Sequence, residues 1–141
     1  MKSQNKGEIK ARKATAVSLF SGCGGSDLGL IAQGFQVVWA NDVWDLACET
    51  YRDNIPDARI AHGDIRNFKD FPKADLLVGC YPCQGYSQGG KRDPNDPRNY
   101  LYREFDRALR AIRPKAFVVE NVNGMAFGEN RELLENQLLR N

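Results

Sequence analysis

Cys83 is the residue whose setting most invites chemistry. It lies in Gly79-Cys80-Tyr81-Pro82-Cys83-Gln84-Gly85-Tyr86-Ser87-Gln88, after the apolar run Ala74–Val78 and before a glycine-rich stretch. A cysteine fixed beside a proline, where a buried strand opens into a loop, is well placed to be a nucleophile through its thiolate. Two other stretches could serve it. Phe20-Ser21-Gly22-Cys23-Gly24-Gly25 follows the first apolar run, and Glu120-Asn121-Val122 follows the last. Cys80 and Cys83 also have the Cys-x-x-Cys spacing of redox and metal sites. A zinc site would want two more ligands, and His62 with Cys23 and Cys48 is a poor set. As the single histidine, His62 excludes any site that needs two, and it is expected to be a strand-end residue satisfied locally.

The glycines 22, 24 and 25 let the backbone approach a ligand closely and adopt positive φ. The helix that follows offers unpaired N–H groups to a carboxylate or phosphate. Alone, this loop is a weak signal shared by many nucleotide binders. The dinucleotide pattern would need glycine at position 27, which is Asp27, and no Gly-Lys-Ser/Thr is present. Asn41-Asp42 stands twenty residues after Gly22. An acid there can accept both hydroxyls of a ribose. Gly63-Asp64-Ile65 ends a third strand in the same manner.

These residues need a scaffold that brings strand ends together. Thr15–Phe20 reads as the first strand, and Asp27–Gln33 as a helix with Ser26 as its cap and Gly34 as its stop. Gln36–Ala40 is a second strand. Val43, Leu46, Ala47 and Tyr51 fall at helical spacing before Pro56, and Arg59–Ala61 is a weak third strand. The fourth runs into Cys80. From Gly85 to Asn99 three glycines and two prolines mark a long loop. Loops of that length in compact domains tend to be functional. Leu101, Phe105, Ala108, Leu109 and Ile112 mark a helix face, Ala116–Val119 a fifth strand, and Leu133, Leu134 and Leu138 a final helix. Strands alternating with helices predict a doubly wound, mainly parallel α/β sheet, with the fourth strand beside the first and the fifth beside the fourth.

Length allows one core: 141 residues, 42% hydrophobic and 27% charged, with no apolar run approaching a membrane span. A soluble, cytoplasmic protein is expected. The net charge of +2 is uneven, because Lys2, Lys6, Lys10, Arg12 and Lys13 oppose Glu8 alone, so residues 1–13 carry +4 and the rest −2. Residues 1–14 therefore form a basic arm, either a phosphate contact or a solvated tail.

Taken together, Phe20–Gly25, Pro82-Cys83-Gln84 and Glu120-Asn121-Val122 resemble the cytosine-5 DNA methyltransferase family in wording, order and spacing, from Thr15 to Met125. The resemblance implies a Rossmann-like fold and S-adenosyl-L-methionine as cofactor, held by Phe20, Gly22, Gly24, Asp42 on the ribose and Asp64 near the adenine. Position 42 is more often Glu in that family. It implies that Cys83 attacks carbon 6 of cytosine and that Glu120 donates a proton at nitrogen 3, with burial beside Val118, Val119 and Val122 holding the Glu120 proton. Cys80 stands where family members commonly have glycine or proline, and is expected to be structural. Ser87, Gln88, Lys91 and Arg92 would close on double-stranded DNA around a flipped base, the competing reading being a disordered surface loop. Asn121 would tie the Cys83 loop in place.

The family's Gln-x-Arg-x-Arg segment, target-recognition region and returning C-terminal segment have no counterpart in these 141 residues. Residues 15–141 then correspond to the N-terminal part of a catalytic domain, incomplete at its C-terminal side. A truncated piece of a longer enzyme, a broken gene and one subunit of a split restriction-modification enzyme are all consistent with this, a second chain supplying the remainder in the last case. Transfer RNA is the rival substrate within the family, although Cys83-Gln84-Gly85-Tyr86-Ser87 is worded more like the DNA branch. An inactive cofactor-binding or complex-forming module is the alternative from a different class.

Overall fold

The computed structural model describes residues 12–82 and 96–123. Cys83, Ser87, Gln88, Lys91, Arg92, the first eleven residues and the leucines of the expected final helix lie outside the described residues. Five parallel strands form one sheet: β1 (Thr15–Leu19), β2 (Gln36–Asp42), β3 (Arg59–His62), β4 (Leu76–Gly79) and β5 (Ala116–Val119), in the order β3-β2-β1-β4-β5. The expected placing of the fourth strand beside the first and the fifth beside the fourth is what the sheet shows. Strand order reverses between β1 and β4, and in such sheets ligands bind in the crevice beyond the carboxyl ends at that point.

Helices α1 (Gly25–Ala32), α2 (Asp45–Asn54) and α3 (Tyr102–Ile112) make three of the four crossovers, and the link from β3 to β4 carries only a 3-10 turn, Ile65–Asn67. Val17, Leu19, Trp39, Leu77, Phe105 and Ile112 share one core. Ala16, Val37, Ala40, Tyr51, Ile55 and Val78 share the other. Alternation along β1 divides its residues between the two. Along β2 the register slips between Ala16↔Val37 and Val17↔Trp39, so Val38 is an extra residue. This bulge lets Val37 and Ala40, three apart, enter the same core.

Three expectations about elements are corrected. The α1 cap is Gly24, at φ 90, with no side-chain capping bond, and the Ser26 hydroxyl lies instead 3.5 Å from Asp27. A left-handed glycine turns the chain into the helix one residue before Ser26, so α1 begins at Gly25. The buried side of α2 is Ala47, Cys48 and Tyr51, whereas Val43 and Leu46 are 67% and 59% exposed. Val43 precedes α2, whose cap is Trp44, and Leu46 lies on its open side, so spacing alone selects the wrong pair. Finally, β4 begins at Leu76, because the Asp75 side chain is committed to ion pairs at the amino end of the sheet.

Asp75 Oδ2 accepts the Thr15 backbone N–H at 2.9 Å and the Thr15 hydroxyl at 3.1 Å. Arg12 and Lys115 each lie 2.9 Å from its oxygens. Arg12, part of the expected phosphate-binding arm, is thus engaged within the fold. The Thr15 N–H first, then the Lys115 ammonium, the Thr15 hydroxyl and Arg12, hold the Asp75 carboxyl well below the usual carboxylate range. A depressed carboxyl contributes stability that is present above its unfolded pKa and is lost as pH falls toward the folded value. The urea midpoint should therefore be flat above about pH 5 and fall on acidification below about pH 4. Asp75→Asn should lower the plateau and weaken that fall. A wild-type acid limb retained in full by the variant would remove Asp75 from the account.

β5 is the sheet's edge, and Phe117 and Val118 are 41% and 48% exposed. The expected cover on both faces is therefore missing at β5 among the described residues. No helix among them is long and apolar enough to cross a membrane.

Candidate functional site

The glycine loop leaves β1 with Phe20 at φ 56, Gly22 at φ 53 and Gly24 at φ 90. A left-handed phenylalanine is costly, by about 1–3 kcal/mol, and such strain gathers at functional sites. The Phe20 ring stands edge-on to Tyr81 at 6.4 Å. Gly24 is demanded by packing as well as by φ, since a Cβ there would come within 2.7 Å of Ile55 Cδ1 and 2.9 Å of the Tyr51 ring.

Beneath this loop lies a pair that sequence reasoning missed. Asp27 is fully buried, and the Tyr51 hydroxyl donates to its Oδ2 at 2.6 Å. Burial pushes the Asp27 carboxyl up, against the opposing hydroxyls of Tyr51, Ser18 and Ser26. Burial and the Asp27 carboxylate together push the Tyr51 phenol well above its ordinary value, so it stays a donor. The signal in the sequence is an acid in the first turn of a helix that opens on a glycine loop. Its partner is 24 residues away and is brought to it only by the fold. Tyr51→Phe should cost about 1.5–3 kcal/mol, the range for a hydrogen bond to a charged group. Unchanged thermal and urea unfolding of the variant would show that the bond contributes nothing.

Both acidic strand ends reach the crevice. Asp42 Oδ2 accepts the Gly22 N–H at 2.8 Å and its Oδ1 the Trp44 N–H at 2.9 Å, so the acid also fastens the glycine loop to β2. Buried Asn41 donates to the carbonyls of Ala61 at 2.8 Å and Gly63 at 2.9 Å, fixing the ends of β2 and β3 together. Asp64 caps a 3-10 turn and accepts both the backbone N–H and the guanidinium of Arg66, whose bonds hold its carboxyl below the ordinary range. Asp96 and Arg98 repeat the motif two residues apart, and there Arg98 brings the carboxyl down to about 2. Each carboxylate oxygen has two lone pairs, so Asp42, with one bond on each oxygen, keeps accepting capacity, whereas Arg66 already engages each Asp64 oxygen twice.

A cavity of about 350 Å³ opens over these ends. Phe20, Asp42 and Asp64 line it with Val43, Ile65 and Leu101 as apolar wall, Arg66 and Arg98 as cations, and Cys80 and Pro82 at the β4 end. Gly22 and Gly24 form the loop rather than the wall. The size suits a small-molecule site, and apolar faces beside a few fixed acceptors suit a nucleoside. Exposed Val43 thus has a place in the site, which explains why it is not in the core. His62 lies outside the cavity wall, 3.1 Å from the Val43 carbonyl and 3.5 Å from Asp45.

At the other end, Gly79 closes β4 against Phe105, whose ring a Cβ at position 79 would overlap. Asn121 donates to the Tyr81 carbonyl at 3.0 Å, which ties the segment two residues before Cys83 to the end of β5. Glu120 is bound to β4 through its backbone N–H, 3.1 Å from the Gly79 carbonyl. Its side chain is exposed, so the apolar burial expected to hold its proton is not in place. Val118, on the edge strand, is 48% exposed, and Val119 and Val122 are turned to the core rather than to the Glu120 carboxyl, which leaves it open.

Against known proteins, a family model described as C-5 cytosine-specific DNA methylase matches residues 14–140. The chain belongs to this family. Over 84% of its length it is 37% identical to the type II methyltransferase M.BspRI of Lysinibacillus sphaericus, of which the match covers 35%. To the type II methyltransferase M.FnuDI of Fusobacterium nucleatum it is 42% identical, covering 84% of this chain and 35% of that one. The chain thus spans about a third of the length of these relatives. Among solved structures, a prophage-encoded E. coli protein described as a candidate DNA modification methyltransferase superposes with a TM-score of 0.74 at 28% identity, over 91% of this chain and 38% of that one. The family's α/β architecture is the one expected from the alternating elements, and Phe20–Gly25, Pro82-Cys83-Gln84 and Glu120-Asn121-Val122 all fall inside the matched span.

Proposed function

We propose that this chain forms the cofactor- and cysteine-bearing part of a DNA (cytosine-5-)-methyltransferase of a restriction-modification system. The observation that carries this reading is a single cavity. Its wall joins Phe20, Asp42 and Asp64 to Pro82, the residue before Cys83, and Glu120 stands one strand away. The residues fit S-adenosyl-L-methionine: Asp42 would accept its ribose hydroxyls, Asp64 its adenine amino group, and the Gly22–Gly24 loop would lie against its methionine part. When bound, that cofactor supplies an electrophilic methyl group.

Carbon 5 of cytosine is a poor nucleophile. The Cys83 thiolate adds to carbon 6, forming a C–S bond and moving the ring electrons toward nitrogen 3, where Glu120 delivers a proton. The resulting enamine is nucleophilic at carbon 5. Asn121 keeps the Cys83 segment at the required height through Tyr81. Ser87, Gln88, Lys91 and Arg92 contact double-stranded DNA around the extruded base, since a base inside the duplex is out of reach. A second chain or further polypeptide along the exposed β5 edge belongs to the same proposal.

Calorimetry tests the cofactor half. S-adenosyl-L-methionine should bind, and Asp42→Ala should weaken binding by about 1–3 kcal/mol, the loss expected when a charged hydrogen-bond partner is removed. Tighter binding of a nicotinamide dinucleotide than of the methyl donor would overturn the reading.

A further inference from the structure

The β4–β5 register ends at Gly79↔Val119, so Cys80 and Glu120 are the next residues abreast on two parallel strands. The backbones stay joined beyond that pair, because the Glu120 N–H donates to the Gly79 carbonyl at 3.1 Å. On its other side Cys80 is held to β1, its N–H 3.3 Å from the Leu19 carbonyl. Cys80 is thus fixed between the glycine loop and the candidate acid, with its side chain half-buried in the cavity wall.

We propose that Cys80 is a positioning residue for Glu120: its thiol donates to one carboxylate oxygen and leaves the other turned toward the substrate base. The inference rests on the reading of Glu120 as the proton donor at nitrogen 3. Three polar or charged groups act on the thiol, Glu120 from the end of β5 and Asp27 and Ser26 from α1, while Arg98, paired with Asp96, lines the same cavity. Burial first, then the negative charges of Glu120 and Asp27, push the Cys80 thiol up, so at neutral pH it carries the hydrogen that a donor needs. A thiol is a weak donor. It orients the carboxylate without exchanging a proton with it. The same setting makes Cys80 a poor nucleophile, which separates its role from that of Cys83.

Two readouts test this. In a Cys83→Ser background, the pH dependence of iodoacetamide alkylation at Cys80 is followed by peptide mass spectrometry, with exposed Cys23 as control. Glu120→Gln removes a like charge, so the Cys80 profile should move down by about one pH unit, roughly tenfold faster alkylation at fixed pH, while Cys23 is unmoved. An unmoved Cys80 profile would overturn the contact. In the active enzyme with Cys83 intact, Cys80→Ala should lower kcat about three- to tenfold, because the Glu120 carboxyl loses the donor that orients it. KM for the methyl donor should hold within about twofold, and Cys80→Ser should restore kcat. An unchanged kcat in Cys80→Ala, with Glu120→Gln still crippled, would sink the role of Cys80 and leave the proposed function standing. Normal turnover by Glu120→Gln would sink the reading beneath it, and the role of Cys80 with it.

Discussion

Cys83→Ser is expected to abolish covalent capture of duplex DNA containing 5-fluorocytosine. The wild-type enzyme, meaning this chain with any partner it requires, should yield a denaturant-resistant adduct when supplied with the methyl donor. Release of the thiol requires loss of the substituent at carbon 5 as a cation, which hydrogen allows and fluorine does not. The adduct should therefore accumulate. Serine keeps the shape of the side chain but presents a hydroxyl, which is not ionised near neutral pH and is a far weaker nucleophile than a thiolate. Loss of capture should thus be complete on the timescale of the assay. The rival thiol is Cys80, only three residues earlier. Its setting argues against it, because burial and the Glu120 and Asp27 carboxylates disfavour its thiolate. Capture that persists in Cys83→Ser, or an adduct mapped to Cys80, would overturn the assignment.

The parts of the site readable in the sequence are those set by strand ends. An apolar run followed by glycine, or by a single acid, marks where a parallel strand reaches the crevice, and Phe20, Asp42 and Asp64 all line the cavity as a result. Strand order was legible too, since each crossover has a helix-length segment and the glycine loop follows the first strand. What stayed hidden depended on contacts across the chain. Nothing near Asp27 announces that Tyr51 will donate to it, and nothing near Asp64 or Asp96 shows that Arg66 and Arg98 will face the same cavity. Leu46 misled because a helical period cannot say which of two apolar sides is buried, and Val43 because the helix starts only after Trp44. Glu120 misled for a different reason. Valines in sequence suggest a dry surrounding, but along an edge strand half of that surface is open, and burial belongs to whatever lies beside the strand.

That exposure sharpens the second large effect, expected for Glu120→Gln. If Glu120 delivers the proton to nitrogen 3, the amide can still accept or donate hydrogen bonds but cannot supply an ionisable proton. Removing a general acid typically costs about 10²- to 10⁴-fold in rate. The loss should appear in kcat, because Glu120 is not part of the cavity wall, which the ends of β1, β2, β3 and β4 build with Arg98 and Leu101. Calorimetric affinity for S-adenosyl-L-methionine should therefore be unchanged within about twofold, as for an interaction made only during reaction. A deoxyuridine in place of the target cytosine passes the ring electrons to oxygen 4 rather than nitrogen 3, so its turnover should depend less on a proton delivered at nitrogen 3, and the gap between wild type and variant should narrow. A variant that turns over cytosine at the wild-type rate would remove Glu120 from the chemistry. A variant that loses cofactor affinity in step with rate would instead place it in the binding site.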